Sequence, residues 1–292
     1  MIAPISLALA LAAATGAAAP PPAQRAASPA LEGKGMFVFS GWNGPPLRVF
    51  YQLPRIVTET TPVLVVIHGV ERNASDYRDT WARHALDKGF IVVAPEFSRA
   101  DFPDNNSFSS GGMMDKDGQV RPRDQWAFSA IDPLVDQVKA ATGTRVPRYI
   151  LFGHSGGAQF VQRMALFLPE AHILRAIAAN AGWYTMPDFS IDFPYGLKGA
   201  PIDETALKIA LARPLWLLSG SRDVDPDAPN LRRTPEAMAQ GPNRLARGDA
   251  YFAAGKKAAG RLGTPFHWQR RYVNGVGHSD EGIAAAAVAL IR

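Results

Sequence analysis

A serine stands among glycines in the pentapeptide Gly153-His154-Ser155-Gly156-Gly157. The Gly-x-Ser-x-Gly pattern turns a strand sharply into a helix and holds the serine hydroxyl exposed at the edge of a sheet. A free hydroxyl is a weak nucleophile and needs a base beside it. An apolar segment, 149–152, precedes the pentapeptide, and apolar residues at helical spacing follow it. We therefore expect Ser155 to be the nucleophile of an acyl-transfer reaction and His154 to be a structural support behind it.

A base for this serine should lie further along the chain, because hydrolases with this turn have the order serine, acid, histidine. His278 lies in the glycine-rich segment 274–279, between the last predicted strand and the last predicted helix. A side chain on such a loop can reach back over the sheet edge. His172 and His267 also follow Ser155, but they lie at the start of one apolar segment and within another. We predict that His278 is the general base.

Two aspartates follow the strand-like segment 215–218 and could orient the imidazole. Asp223 stands three residues after Gly220. In folds with this serine turn the orienting acid is commonly found at that distance from the glycine, so Asp223 is the preferred candidate. Asp225 remains an alternative, although it is also well placed to cap the turn before Pro226. Whichever aspartate acts would hold the imidazole tautomer and stabilise the imidazolium.

The segment Ile67-His68-Gly69-Val70 follows the first buried strand and predicts the loop that faces the nucleophile. We assign the oxyanion hole to the backbone N–H groups of Val70 and Gly156. Backbone donors of this kind stabilise the charge that develops on the substrate carbonyl oxygen. His68 is expected to orient this loop and to take no direct part in catalysis.

Strand-like and helix-like segments alternate along the chain, which indicates an α/β fold with a mostly parallel central sheet flanked by helices. The first two strands, 36–39 and 47–52, are predicted to pair antiparallel. The further predicted strands are 63–67, 91–94, 149–152, 173–178, 215–218 and 267–273. One helix is expected to be capped by Ser75 and to end at Gly89, and the next to begin with Asp132 and Pro133 and end near Gly143. A last helix is predicted over 281–291. Loop-rich insertions are expected at 96–123, 181–213 and 223–241.

The N-terminal 24 residues carry no charged side chain, and 5–19 is an apolar run rich in alanine and leucine. This run is shorter than the roughly 20 residues that span a bilayer. Small residues at 17–19 suit a signal-peptidase site. We predict a signal peptide over 1–19, a flexible proline-rich leader over 20–35 and one catalytic domain over 36–292. The protein is then periplasmic or secreted; the alternative is a disordered tail on a cytoplasmic protein.

Composition excludes several kinds of site. The chain has no cysteine, and therefore no disulfide, no thiolate zinc site and no cysteine nucleophile. Its 31 lysines and arginines are interspersed with 26 acidic residues, so no basic stripe predicts nucleic-acid binding. The segment 115–118 lacks the further ligands of a calcium loop. We expect no cofactor, no metal, no nucleic-acid partner and no stable membrane insertion.

Over residues 36–292 the chain resembles the α/β-hydrolase superfamily, and within it serine esterases similar to polyhydroxybutyrate depolymerases and feruloyl esterases. The resemblance rests on four landmarks in the expected order: His68-Gly69, the serine pentapeptide, the segment 220–223, and Gly277-His278. It implies hydrolysis of a small-molecule or polymeric carboxylic ester through an acyl-serine intermediate. The disulfides and separate binding module common in secreted members are missing from this sequence, so the substrate does not follow from the resemblance.

Two other functions stay open at this point. A serine peptidase would use the same catalytic triad of serine, histidine and aspartate, because ester and amide hydrolysis share their chemistry. A non-catalytic member would use the fold only for binding. The aromatic side chains of the insertions fit either an apolar substrate pocket or simple packing over the core.

Overall fold

The computed structural model describes residues 30–291. The predicted signal peptide, 1–19, and most of the predicted leader therefore lie outside the described residues. Within 30–291, no helix is long and apolar enough to cross a membrane.

An eight-stranded sheet organises this part of the chain, in the order β1-β2-β4-β3-β5-β6-β7-β8. Only β2 runs against its neighbours; the pairs from β4 to β8 are all parallel. The predicted α/β-hydrolase fold class is thus confirmed. The strands are β1 Lys34–Phe39, β2 Leu47–Gln52, β3 Val63–Ile67, β4 Ile91–Glu96, β5 Tyr149–His154, β6 Ile173–Ala179, β7 Leu215–Gly220 and β8 Gln269–Val273.

Helices cover both faces of the sheet. They are α1 Ala74–Lys88, α2 Ile131–Thr142, α3 Gly156–Phe167, α4 Glu204–Leu211, α5 Pro235–Ala239, α6 Arg244–Leu262 and α7 Asp280–Ala287. Short 3₁₀ turns span Arg123–Gln125, Ala127–Ala130 and Val288–Leu290. The last of these turns continues α7, so the predicted C-terminal helix is present in two pieces.

The central strands are buried on both faces, as their continuous apolar sequences predict. Every residue of β3 and β5 is buried. Because successive side chains of a strand point to opposite faces, Val63, Val65 and Ile67 enter one core and Leu64 and Val66 the other. Burial on both faces fixes β5 rigidly, and β5 is the strand that leads into the serine turn.

Two predicted helix starts are wrong. Asn73 occupies the N-cap position of α1, and Ser75 lies inside the first turn, where its hydroxyl donates to Asp76. The start of α2 is set by the preceding 3₁₀ turn, so Asp132 and Pro133 lie within the first helical turn. Proline is tolerated there because the first-turn N–H groups have no helical acceptor.

The insertions are more helical than predicted. The segment after β4 is irregular as expected, but α4 and α5 lie within the two segments predicted as loops. The 19-residue helix α6 was not predicted at all. The sequence does not indicate this helix because it contains several glycines, and glycine is a poor helix former. Gly255 is needed for packing, because a side chain there would overlap the indole of Trp268.

The aromatic residues of the first insertion are part of the core. Phe97, Phe102 and Phe108 are all at most 5% exposed. The rings of Phe97 and Phe108 lie 5.1 and 5.9 Å from that of Phe160 on α3. Of the two roles considered for these side chains, the structure shows packing.

Candidate active site

Ser155 connects β5 to α3 and has a strained backbone. Its φ of 56° and ψ of −115° lie in a region that non-glycine residues rarely adopt. Such a residue costs on the order of 1–3 kcal/mol and persists only where its surroundings hold it. Here the N–H of Ser155 donates to the carbonyl of Ala179 at 2.9 Å, and its own carbonyl accepts from Ala158 at 3.1 Å. The strand beside it and the helix after it therefore hold the turn in place.

The flanking glycines allow this turn to form. A Cβ atom at Gly157 would overlap the carbonyl oxygens of Ile67 and His68. A Cβ atom at Gly153 would overlap the backbone of Gly157. The close approach of α3 to β3 thus requires glycine at position 157, and its close approach to β5 requires glycine at position 153.

Three side chains from three loops meet at this turn. The Nε2 atom of His278 lies 3.0 Å from the hydroxyl oxygen of Ser155. The Nδ1 atom of the same imidazole lies 2.8 Å from Oδ2 of Asp223. The aspartate side chain is 3% exposed, whereas the histidine side chain is 31% exposed. The structure therefore brings together the preferred sequence candidates for nucleophile, base and acid.

Asp225, the alternative acid, lies on the exposed turn that follows. Its Oδ1 accepts from the backbone N–H of Asp227 at 2.8 Å, an arrangement that caps a turn. The carboxylate that contacts the imidazole of His278 is that of Asp223.

Asp223 has a second partner that sequence reasoning missed. Nη1 of Arg244 lies 3.3 Å from Oδ1 of Asp223, and both side chains are 3% exposed. Nη2 of the same guanidinium donates to the carbonyl of Pro229 at 3.1 Å. Arg244 is the first residue of α6, and the capping residue Asn243 before it is the only sequence signal of that helix start. A buried arginine thus balances the charge of the buried carboxylate.

The proposed oxyanion donors are adjacent to each other and to the serine. A Cβ atom built on Gly156 would lie 3.2 Å from the backbone nitrogen of Val70, and one built on Gly69 would lie 3.7 Å from Cβ of Ser155. Gly156 is the first residue of α3, so its N–H has no acceptor within the helix. The positive end of the helix dipole lies at the same place.

His68 supports the loop that carries Val70. The backbone N–H of Phe97 donates to its Nε2 at 3.0 Å, so Nδ1 carries the proton and donates to the carbonyl of Gly69 at 2.9 Å. Burial lowers the pKa of this imidazole to about 3, so it is neutral. His68 thereby ties its own loop to the first residue of the insertion after β4.

His154 lies behind the serine and contacts the other histidine. Its ring centroid is 4.7 Å from that of His278, and Tyr77 and Asn180 hydrogen-bond to its Nδ1 and Nε2 at 3.1 and 3.4 Å. Burial, reinforced by the charges of His278 and Arg244, holds the pKa of His154 well below its usual range. A neutral ring at this position supports His278 without competing for its proton.

Asn180 is a second residue that the sequence did not reveal. It is fully buried, has a φ of 53°, and follows β6 directly. Its Oδ1 accepts from the N–H of Gly220 at 2.8 Å, and its Nδ2 donates to the carbonyl of Gly277 at 3.2 Å. One side chain therefore joins the loop of the acid to the loop of the histidine.

A cavity of about 390 Å³ opens beside Ser155 and His278. Its wall includes several carboxylates, among them Asp280 at the start of α7. Burial raises the pKa of Asp280 to about 7, against a hydrogen bond from Thr80 that lowers it.

Within residues 30–291, no group of three histidine or acidic side chains is arranged to hold a metal ion.

Solved structures similar to this chain include several hydrolases. Poly(aspartic acid) hydrolase-1 from Sphingomonas sp. KT-1 is 48% identical with a TM-score of 0.87, over 89% of this chain and 98% of that one. LpqC, a poly(3-hydroxybutyrate) depolymerase from Bordetella parapertussis, is 36% identical with a TM-score of 0.84, over 88% and 89%. The S-formylglutathione hydrolase FrmB from Staphylococcus aureus shares the fold at 15% identity and a TM-score of 0.56, over 88% and 96%. No family model matches the chain, and no curated protein matches its sequence.

Proposed function

This chain belongs to the α/β-hydrolase superfamily, as a relative of the poly(aspartic acid) hydrolase and the depolymerase LpqC, and we propose that it is a serine hydrolase that cleaves carboxylic esters. The observation that carries the proposal is the continuous contact from the hydroxyl of Ser155 through the imidazole of His278 to the carboxylate of Asp223. This is the arrangement in which a base activates a serine and an acid orients the base.

In the first half of the proposed reaction, the oxygen of Ser155 attacks the substrate carbonyl while Nε2 of His278 takes its proton. The carbonyl oxygen becomes an oxyanion, which the N–H groups of Val70 and Gly156 stabilise. The imidazolium then gives its proton to the leaving alcohol, and the acyl group stays on the serine. In the second half, His278 takes a proton from the water that attacks the acyl-serine; the bond to the serine oxygen then breaks, the imidazolium returns the proton to Ser155, and the carboxylic acid leaves.

The surroundings suit each step of this scheme. Asp223 carries its charge at a buried position beside Arg244, so it stabilises the imidazolium without itself taking the proton. The strained backbone of Ser155 holds the hydroxyl outside both β5 and α3, where a substrate can reach it. The neighbouring ring of His154 is neutral and adds no charge that would oppose the imidazolium.

A second candidate is hydrolysis of amide bonds by the same residues. It is favoured by the 48% identity to a poly(aspartic acid) hydrolase, because the units of that polymer are joined by amide bonds. The triad does not distinguish the two reactions, since both pass through the same acyl-serine. They differ in the leaving group that His278 must protonate, an alcohol or an amine.

The experiment is a hydrolysis panel on purified protein. It compares short p-nitrophenyl esters and poly(3-hydroxybutyrate) with aminoacyl-anilides and poly(aspartic acid). Ester turnover that Ser155→Ala abolishes, in a variant whose fold is intact by circular dichroism, supports the proposed function. Turnover of amides alone, lost in the same variant, selects the second candidate. No turnover of any substrate, together with no reaction with a fluorophosphonate, would indicate a protein that binds without catalysis and would contradict both proposed activities.

We also propose that residues 36–292 form one catalytic domain that is exported to the periplasm or the medium. The uncharged apolar run at 5–19 and the small residues at 17–19 support export. N-terminal sequencing of protein from the native cell is expected to begin after residue 17. An intact Met1 on cytosolic protein would contradict export.

A further inference from the structure

A second cavity, of about 460 Å³, lies between the insertions that follow β4 and β6, and the segment after β7 contributes Arg232 to its wall. Both insertions leave the sheet at the carboxyl ends of parallel strands, the edge that also carries Ser155. The cavity wall combines apolar and polar side chains, including Trp183, Phe193, Asn105, Asn106 and Arg232. It contains none of the residues of the triad.

Arg232 is held in one orientation at this cavity. Its Nε donates to the hydroxyl of Tyr195 at 2.6 Å, and that hydroxyl contacts Oγ1 of Thr234 at 2.6 Å. Its guanidinium carbon lies 4.8 Å from the ring centroid of Trp183. Stacking on an aromatic ring and a fixed Nε leave the two terminal nitrogens as a planar pair of donors. No carboxylate among residues 30–291 forms an ion pair with this arginine.

A second unpaired guanidinium contacts the same indole. The guanidinium carbon of Arg163 lies 3.9 Å from the ring centroid of Trp183, and the side chain is fully buried. It donates to Thr185 and to the backbone carbonyls of Ser109 and Gln159, while its Nη2 has no partner in the described structure. Burial, with a smaller contribution from the charge of Arg232, lowers the pKa of Arg163 to about 9, although Tyr251 and Tyr195 act in the opposite direction. An anion beside Arg232 would therefore reduce the repulsion between two cations.

The acidic residues of the cavity wall are already engaged. Asp192 forms an ion pair with Lys198 at 3.0 Å. Oδ1 of Asp115 accepts from the backbone N–H groups of Asp117 and Gln119 at 2.9 and 2.8 Å. Neither aspartate neutralises Arg232, so the guanidinium is free to pair with a carboxylate from outside the protein.

We propose that this cavity is a carboxylate-binding subsite for the substrate chain, with Arg232 as its anchor. The bidentate geometry of an arginine fork matches a carboxylate, and such charge-assisted pairs are about twice as strong as neutral hydrogen bonds. Arg163, which contacts the same Trp183 ring as Arg232, lies eight residues after Ser155 on α3, a rise of about 12 Å along the helix. An extended chain of about four residues spans that distance. The subsite, which rests on the proposed hydrolase function, thus suits an oligomeric or polymeric substrate.

The carboxylate can belong to a side group of an acidic polymer or to the free end of a chain, and the test separates these sources. Three six-residue peptides are titrated into the Ser155→Ala protein by calorimetry. The first alternates alanine and aspartate and is amidated at its C-terminus. The second alternates alanine and asparagine and has a free C-terminal carboxylate. The third is the amidated asparagine peptide, which carries neither carboxylate.

We expect one of the first two peptides to bind at least tenfold more tightly than the third. Arg232→Gln should weaken that binding about 10- to 100-fold, and Arg232→Lys should restore part of it. The matched control is Arg233→Gln, which removes the same charge from an exposed neighbour paired with Asp227. Equal binding of all three peptides, or equal losses in Arg232→Gln and Arg233→Gln, would overturn the subsite.

Hydrolysis of p-nitrophenyl acetate is measured in parallel on proteins that retain Ser155. This ester is too short to reach the second cavity, so Arg232→Gln is expected to leave its turnover unchanged. Peptide binding without any esterase activity would contradict the proposed function and not the subsite. Esterase activity without selective peptide binding would contradict only the subsite.

Discussion

Replacing Asp223 by asparagine should abolish most activity while leaving the catalytic serine and histidine in place. An amide at this position donates a hydrogen bond where a carboxylate accepts one, so it favours the imidazole tautomer whose Nε2 carries a proton. That tautomer cannot accept the proton of Ser155. The equivalent change in a serine protease lowers kcat about 10⁴-fold, and we expect Asp223→Asn to lower ester turnover by about 10³- to 10⁴-fold.

The same substitution should also destabilise the fold. Asp223 and Arg244 are each 3% exposed and lie 3.3 Å apart, so removing one charge leaves the other buried without a counter-charge. Breaking a buried pair in this way costs about 3–5 kcal/mol. Urea denaturation should therefore show that the free energy of unfolding of Asp223→Asn is lower by this amount. The double variant Asp223→Asn/Arg244→Gln should recover most of the stability and none of the activity.

The control is Asp225→Asn, on the exposed turn two residues away. Its stability should change by less than about 0.5 kcal/mol, because the turn is exposed and asparagine keeps the Oδ1 that accepts from Asp227. Its ester turnover should be that of the unmodified protein. An inactive Asp225→Asn beside an active Asp223→Asn would refute the assignment of the acid. A double variant as unstable as Asp223→Asn would show that Arg244 does not act as the counter-charge of Asp223.

Three further predictions concern residues around the triad. Asn180→Gly keeps the positive φ but removes the hydrogen bonds that join the loop of Asp223 to the loop of His278. The value of kcat should therefore fall about tenfold or more at nearly constant KM, and an unchanged kcat would show that these hydrogen bonds do not position the two loops. Gly157→Ala should prevent formation of the serine turn and yield little folded protein by circular dichroism, whereas Gly260→Ala, in open space on α6, should stabilise by about 0.5–1 kcal/mol. Asp280 is neutral in the folded protein below its raised pKa of about 7 but ionised in the unfolded chain above about pH 4, so folding takes up a proton between these values. Stability should therefore fall by about 3 kcal/mol between pH 5 and pH 8, and Asp280→Asn should remove this fall in urea denaturation. Glu281→Gln should reduce the fall only in part, because the charge of Glu281 makes the smaller contribution to the raised pKa of Asp280.

The sheet and the catalytic loops could be predicted because each strand has a local signature. The buried strands are continuous apolar runs, and the serine turn has a fixed glycine pattern, so β5, Ser155 and α3 follow from a short segment. The position of His278 follows from chain order and from its glycine-rich loop. Apart from chain order, each of these signals is local to the feature that it predicts.

Arg244 and Asn180 could not be predicted because their roles depend on contacts between distant segments. Arg244 meets Asp223 across 21 positions of sequence, and Asn180 meets Gly220 across 40. No periodicity or motif marks either residue. Helix α6 was missed for a related reason, since its glycines are tolerated by packing against Trp268 that only the folded structure shows.

Locating a covalent adduct tests most directly whether Ser155 is the nucleophile of a serine hydrolase. Purified protein is treated with a fluorophosphonate, digested and analysed by mass spectrometry. The account predicts a single adduct on Ser155, absent from Ser155→Ala and strongly slowed in His278→Ala. No adduct, or an adduct on Ser221 or Ser279 in place of Ser155, would contradict it.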